Sequence, residues 1–138
     1  MAQLCETPRP TRPTRPARQT LLLVDDDAQH RELYSRRLSR LGYAVRTADC
    51  AASAIEQLAL DTPDLVVLDI AMPGRDGLSA LQEFIALEPT LPIIIHSAYP
   101  TFRDNFLAWA AEDYIQKSSD LGPLVSAIET ALAQHAAA

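Results

Sequence analysis

The chain has 138 residues, 48% of them apolar, and a formal net charge of −6, which suits one domain with a substantial core. It holds no apolar run of membrane-spanning or signal-peptide length, and its two cysteines, Cys5 and Cys50, are too few for a disulfide framework or a metal site, so a cytoplasmic protein with inert thiols is expected. Residues 1–20 carry +3, from Arg9, Arg12, Arg15 and Arg18 against Glu6, while the remainder carries −9, an acidic body that disfavours direct DNA binding.

Residues 6–18 alternate Pro, Arg and Thr, with an arginine at every third position. Proline cannot continue a helix, and nothing in this run is apolar enough to offset the cost of ordering it. In polyproline II, with three residues per turn, the arginines would line one edge. Residues 1–19 are expected to be a disordered, solubilising leader. A weak anchor to nucleic acid, anionic lipid or an acidic partner is the sharper alternative.

After Thr20 the pattern changes. Leu21, Leu22, Leu23 and Val24 form a buried strand running into Asp25, Asp26 and Asp27. The next helix carries Tyr34, Leu38 and Leu41 on one stripe, widened by Leu33, and Gly42 is placed to end it. Residues 43–47 make a short strand, and residues 51–60 a small-residue helix with Ile55 and Leu58 inward. Leu65, Val66, Val67 and Leu68 are an unbroken apolar run of the kind buried on both faces of a parallel sheet, ending at Asp69. Leu78, Leu81 and Ile85 mark another helix. Ile93, Ile94 and Ile95 form a fourth strand that leads to His96 and Ser97. A short helix is expected at 101–111 and a fifth strand at 114–117. Leu121, Leu124, Val125, Ile128 and Leu132 define a final helix, with Asp120 as N-cap and Pro123 in the first turn. Strand and helix alternate five times, which implies an α/β fold with a parallel sheet covered by helices on both faces.

The carboxyl ends of such strands converge on one edge, where ligands of open α/β sheets bind. That edge collects Asp25, Asp26, Asp69, Ser97 and Lys117, the chain's sole lysine. Clustered carboxylates suit a hard cation such as Mg²⁺ and would repel one another without one. A carboxylate can attack a phosphoryl group to give an acyl phosphate. A cation and a hydroxyl donor then meet the phosphoryl oxygens, the parts that Lys117 and Ser97 supply.

From about residue 20 to 133 the chain resembles the receiver domain of two-component response regulators. The resemblance rests on Leu23-Val24-Asp25-Asp26-Asp27, on Leu68-Asp69-Ile70-Ala71-Met72-Pro73-Gly74-Arg75-Asp76-Gly77, on Ser97-Ala98, and on Asp113-Tyr114-Ile115-Gln116-Lys117. It implies a flavodoxin-like, doubly wound five-stranded sheet of order 2-1-3-4-5 over residues 20–135, with 136–138 a flexible tail. Asp69 would be the phosphoacceptor for a histidine kinase or phosphotransfer protein. Asp26, Asp69 and the carbonyl of Ala71 would hold Mg²⁺, or Mn²⁺ in its place, with Asp25 acting through water. Ser97 would bind the phosphoryl group, Lys117 would pair with it, and Tyr114 would turn inward on activation. The output surface would be the helix at 101–111, the fifth strand and the final helix, which would meet a downstream protein or a second copy as a homodimer. Such a chain is a phosphoacceptor, taking part in its own phosphotransfer and dephosphorylation, and not otherwise an enzyme.

Three departures from the family pattern stand out. Ser118 follows the lysine where proline is usual, and a cis bond there would cost about 2.5–4 kcal/mol against about 0.5–1 before proline. The stretch from Ser97 to Lys117 is about two residues short, with Ala110 where glycine is common, so the helix at 101–111 should be short or displaced. His96 replaces an apolar residue and is expected to be partly buried in a local hydrogen bond. Ala71 and Tyr99 flank the path of attacking water and would tune phosphate lifetime. With only a short tail after the final helix, no DNA-binding or enzymatic output domain is expected, leaving a stand-alone module acting through protein contacts. Two other readings remain: a pseudo-receiver that binds partners without phosphorylation, and a Mg²⁺-dependent phosphatase with an aspartyl nucleophile. The latter lacks a general acid two residues beyond Asp69, where Ala71 stands.

Overall fold

Three central strands read as continuous apolar sequence because helices cover both of their faces, and the sheet is organised around them. The computed structural model describes residues 18–69, 77–98 and 111–136. The elements are β1 (Thr20–Val24), α1 (Ala28–Arg40), β2 (Ala44–Ala48), α2 (Ala51–Leu60), β3 (Leu65–Leu68), α3 (Gly77–Leu87), β4 (Ile93–Ser97), β5 (Asp113–Gln116) and α4 (Gly122–Ala136). All pairings are parallel, in the order β2-β1-β3-β4-β5, which is the flavodoxin-like order expected. Residues 1–17 of the expected leader, residues 70–76, the helix expected at 101–111, apart from Ala111, and residues 137–138 of the expected tail lie outside the described residues.

Alternation along the strands divides the core in two. Leu22, Val24, Val66, Leu68, Ile93 and Ile95 face Ala51, Ala54 and Leu58 of α2 and Ala80, Leu81 and Phe84 of α3. Leu21, Leu23, Leu65, Val67 and Ile94 face Tyr34 and Leu38 of α1 and Leu124, Ile128 and Leu132 of α4. Truncating a fully buried side chain such as Phe84 to alanine would cost about 3–5 kcal/mol.

Several local expectations need correction. Leu33 and Leu41 are 41% and 56% exposed, and only Tyr34 and Leu38 of α1 are buried. Leu33 lies about 100° around the helix from Tyr34, and Leu41 stands after the last helical turn, where Gly42 takes a φ of 103°. In α2 the buried residues are Ala51, Ala54 and Leu58, with Ile55 only partly covered. Asp120 stands one position outside the expected cap. Its Oδ1 accepts the Gly122 amide at 2.8 Å, whereas the Leu121 carbonyl accepts Val125 N–H and so opens the helix. The fifth strand ends at Gln116, leaving Lys117 just beyond it.

Candidate functional site

Backbone hydrogen bonds set each site residue one step past its strand. The Asp25 amide donates to the Ala48 carbonyl at 3.1 Å, that of Asp69 to Val24 at 2.9 Å, and that of Lys117 to Ser97 at 2.7 Å. The three side chains thus leave the sheet at one edge. Asp25 is 2% exposed and Asp69 and Lys117 are 8% exposed at their side chains, while Asp26 lies in solvent.

Lys117 ties the edge together. Its Nζ donates to Asp25 Oδ2 at 2.7 Å and to Asp69 Oδ2 at 3.1 Å. The other Asp25 oxygen accepts the Asp27 amide at 2.9 Å, and Arg31 Nη1 donates to the Asp25 carbonyl at 2.8 Å. Burial is the largest influence on Asp25 and pushes its carboxyl above the ordinary range, although the Lys117 hydrogen bond and charge pull the other way. Burial also disfavours the Lys117 ammonium, but the hydrogen bonds and charges of Asp25 and Asp69 outweigh it and hold the lysine above its ordinary pKa. The ammonium therefore stays charged at neutral pH.

Asp25, Asp26 and Asp69 each offer a carboxylate oxygen within 4.8 Å of the others. Three carboxylates face one ammonium, so negative charge is in excess, and the donors are hard oxygens of the type Mg²⁺ prefers. The residues fit such an ion. Ala71, whose carbonyl was expected to contribute, lies outside the described residues, as does Tyr99. Ser97 is fully buried at the end of β4. Tyr114 is partly buried against the core on the α2 and α3 side, and its residue pairs with Ile95 of β4. No cis peptide occurs among the described residues, so Lys117–Ser118 is trans, in keeping with the cost of a cis bond before a residue other than proline.

Two histidines complete the site. His30 Nδ1 lies 3.0 Å from Lys117 Nζ, a contact the sequence reading missed. A signal was present. Asp27 caps α1 by accepting the amides of Gln29 and His30 at 2.9 and 3.2 Å, and a side chain in the first turn leans back toward the helix N-terminus. That lean carries His30 over the acidic edge. His96 is 2% exposed, more deeply buried than expected, and meets the Tyr34 ring edge-on with centroids 5.0 Å apart. Tyr34 in turn stacks obliquely on His30 at 5.6 Å. Burial, then the nearby Lys117 charge, pulls His96 down to a pKa of about 4. It is neutral at physiological pH.

The family model of the response regulator receiver domain matches residues 21–129. The DNA-binding transcriptional regulator NtrC of Escherichia coli K12 is 35% identical over 115 residues, covering 82% of this chain and 24% of that protein. The response regulator MprA of Mycobacterium leprae is 36% identical over 114 residues, 81% of this chain and 50% of that one. The chain thus spans about a quarter to a half of these relatives. Among solved structures, the response regulator TrrA of Thermotoga maritima in complex with Mg²⁺-BeF superposes with a TM-score of 0.79 at 33% identity, covering 82% of this chain and 98% of that one. TrrA in complex with the histidine kinase ThkA gives a TM-score of 0.78 at 33% identity, over 83% and 98%.

Proposed function

As the chain belongs to the response regulator receiver family of two-component systems, we propose that Asp69 accepts a phosphoryl group from a histidine kinase or a phosphotransfer protein. The observation that carries this reading is the buried Lys117 Nζ, 2.7 Å from Asp25 and 3.1 Å from Asp69, beside the exposed Asp26. The ThkA–TrrA complex supports a kinase as partner.

In the transfer an Asp69 oxygen forms a bond to phosphorus as the donor's N–P bond breaks, and the departing imidazole takes up a proton. Asp26 and Asp69, with the Ala71 carbonyl and with Asp25 through water, would hold Mg²⁺, as the Mg²⁺-BeF complex of TrrA supports. The ion supplies positive charge to the phosphoryl oxygens. Lys117 gives up its bond to Asp69 and meets a phosphoryl oxygen. The Ser97 hydroxyl donates to another, and Tyr114 follows into the space that the Ser97 loop vacates. The change reaches partners through β5, α4 and the segment between β4 and β5, and a small bias between two states is sufficient for it. The protein acts as a phosphoacceptor and contributes to its own dephosphorylation, without turning over a separate substrate.

Incubation with Mg²⁺ and acetyl phosphate, followed by intact-mass measurement, tests this. The native chain should gain one phosphoryl group and Asp69→Asn none. No gain in either would favour a phosphorylation-independent binding module. Continuous hydrolysis of phosphomonoesters would instead mark a phosphatase.

A further inference from the structure

Lys117 has three N–H donors, and three acceptors lie within reach: Asp25 Oδ2 at 2.7 Å, His30 Nδ1 at 3.0 Å and Asp69 Oδ2 at 3.1 Å. Two of the three are carboxylates whose charge a cation at the site would share. The third is a ring nitrogen from α1 that belongs to no carboxylate. We propose that His30 is a positioning residue, whose Nδ1 accepts a hydrogen bond from Lys117 and holds the ammonium beside Asp69 while the carboxylates serve other charges. The inference rests on the receiver reading only for its consequence in phosphoryl transfer.

The contact dictates the histidine's form. An ammonium offers donors alone, so Nδ1 must carry a lone pair and Nε2 the proton. The same Nδ1 is 3.8 Å from Asp25 Oδ2 and 3.7 Å from Asp27 Oδ2, too long for hydrogen bonds. A protonated ring would convert those two approaches into ion pairs but would set Nδ1–H against the lysine at 3.0 Å. The shorter contact is the one in which Nδ1 acts as acceptor. A neutral acceptor orients the ammonium without adding a further negative charge to compete with Asp69.

His30 is held at its backbone and on one ring face. Its backbone N–H is tied to the Asp27 carboxylate at 3.2 Å. Its face meets Tyr34, which is 5% exposed. Tyr34 is backed by buried His96, so the column is anchored on β4 next to Ser97. Part of the His30 side chain, 39% exposed, remains open to solvent, so replacing it leaves the core intact.

The sole lysine makes the test specific. Protein labelled with ¹⁵N-lysine carries one Nζ, whose proton exchange reports its hydrogen bonds. Native protein should show a protected Nζ–H signal that persists when Mg²⁺ is added. His30→Ala should lose that protection in Mg²⁺ and accept phosphate from acetyl phosphate about tenfold more slowly. His30→Asn, whose amide oxygen falls near the Nδ1 position, should restore both. Unchanged Nζ exchange in His30→Ala, or failure of His30→Asn to restore what His30→Ala loses, overturns the proposal. If the native chain shows the expected Nζ pattern but never gains a phosphoryl group, the receiver reading fails and the placement of Lys117 by His30 stands.

Discussion

The two edges of the sheet use aspartate in opposite ways. At the amino edge Asp64 is exposed, and its Oδ2 accepts the Thr20 amide at 2.7 Å, so it closes the start of β1 at little desolvation cost. At the carboxyl edge Asp25 and Asp69 are buried, and the cation that holds them comes from 92 and 48 residues away in sequence. Every buried polar residue among those described, Asp25, Asp69, His96 and Ser97, lies at that second edge. The amino edge is built to be stable as it stands. The carboxyl edge concentrates groups whose burial is unfavourable, and it is relieved by bringing in a proton or a cation.

The sharpest way to break this contrast is Lys117→Met. It leaves two buried carboxylates without their ammonium and should lower unfolding free energy by about 3 kcal/mol at neutral pH, measured by urea denaturation. The Asp25 carboxyl is already raised by burial, so its neutral form is favoured in the folded state. The penalty should therefore shrink as pH falls and a proton takes the lysine's place.

Mg²⁺ should act on one edge alone. At a hundredfold excess over its Kd, binding only the folded form stabilises it by about 2.7 kcal/mol. A thermal melt should show this in the native chain and not in Asp26→Asn/Asp69→Asn. An equal gain in the double variant would mean that the ion binds elsewhere.

His96 extends the contrast to acid. Its pKa is about 4 in the fold against an ordinary 6.5. Below 6.5 the unfolded chain takes a proton that the folded chain refuses, so stability falls as pH drops through this window. Near pH 4.5 the loss attributable to His96 is about 2.5 kcal/mol. His96→Leu should flatten the corresponding part of a stability–pH profile. The smallest effect belongs to the amino edge: Asp64→Ala should cost no more than about 1 kcal/mol in chemical denaturation, because water can replace an exposed acceptor.

Much of this was legible in the sequence where one rule acted alone. Unbroken runs such as 65–68 marked central strands because both faces are covered, and the acids that end them followed from parallel topology. The expected strand order matches the sheet. What failed depended on how far around a helix a residue sits. Leu33 and Leu41 were apolar enough to belong inside, yet the rotation of α1 and its end at Arg40 put them in solvent. Phe84, fully buried, was not singled out because α3 was identified by Leu78, Leu81 and Ile85. His30 escaped for a related reason. A single histidine in a polar first turn has no pattern, and its meaning comes only when Lys117 arrives from the far end of the chain.

That arrival has a consequence for synthesis. Lys117 follows the fifth and last strand, and the bond it makes to Asp25 closes over 92 residues. Contacts of such separation are among the most demanding in loop-closure entropy and belong to the slow part of folding. On the ribosome, Asp69 emerges well before the lysine that completes its surroundings. Under the proposed function, competence to take up phosphate would be linked to a finished sheet, because a half-made chain presents Asp69 without its cation.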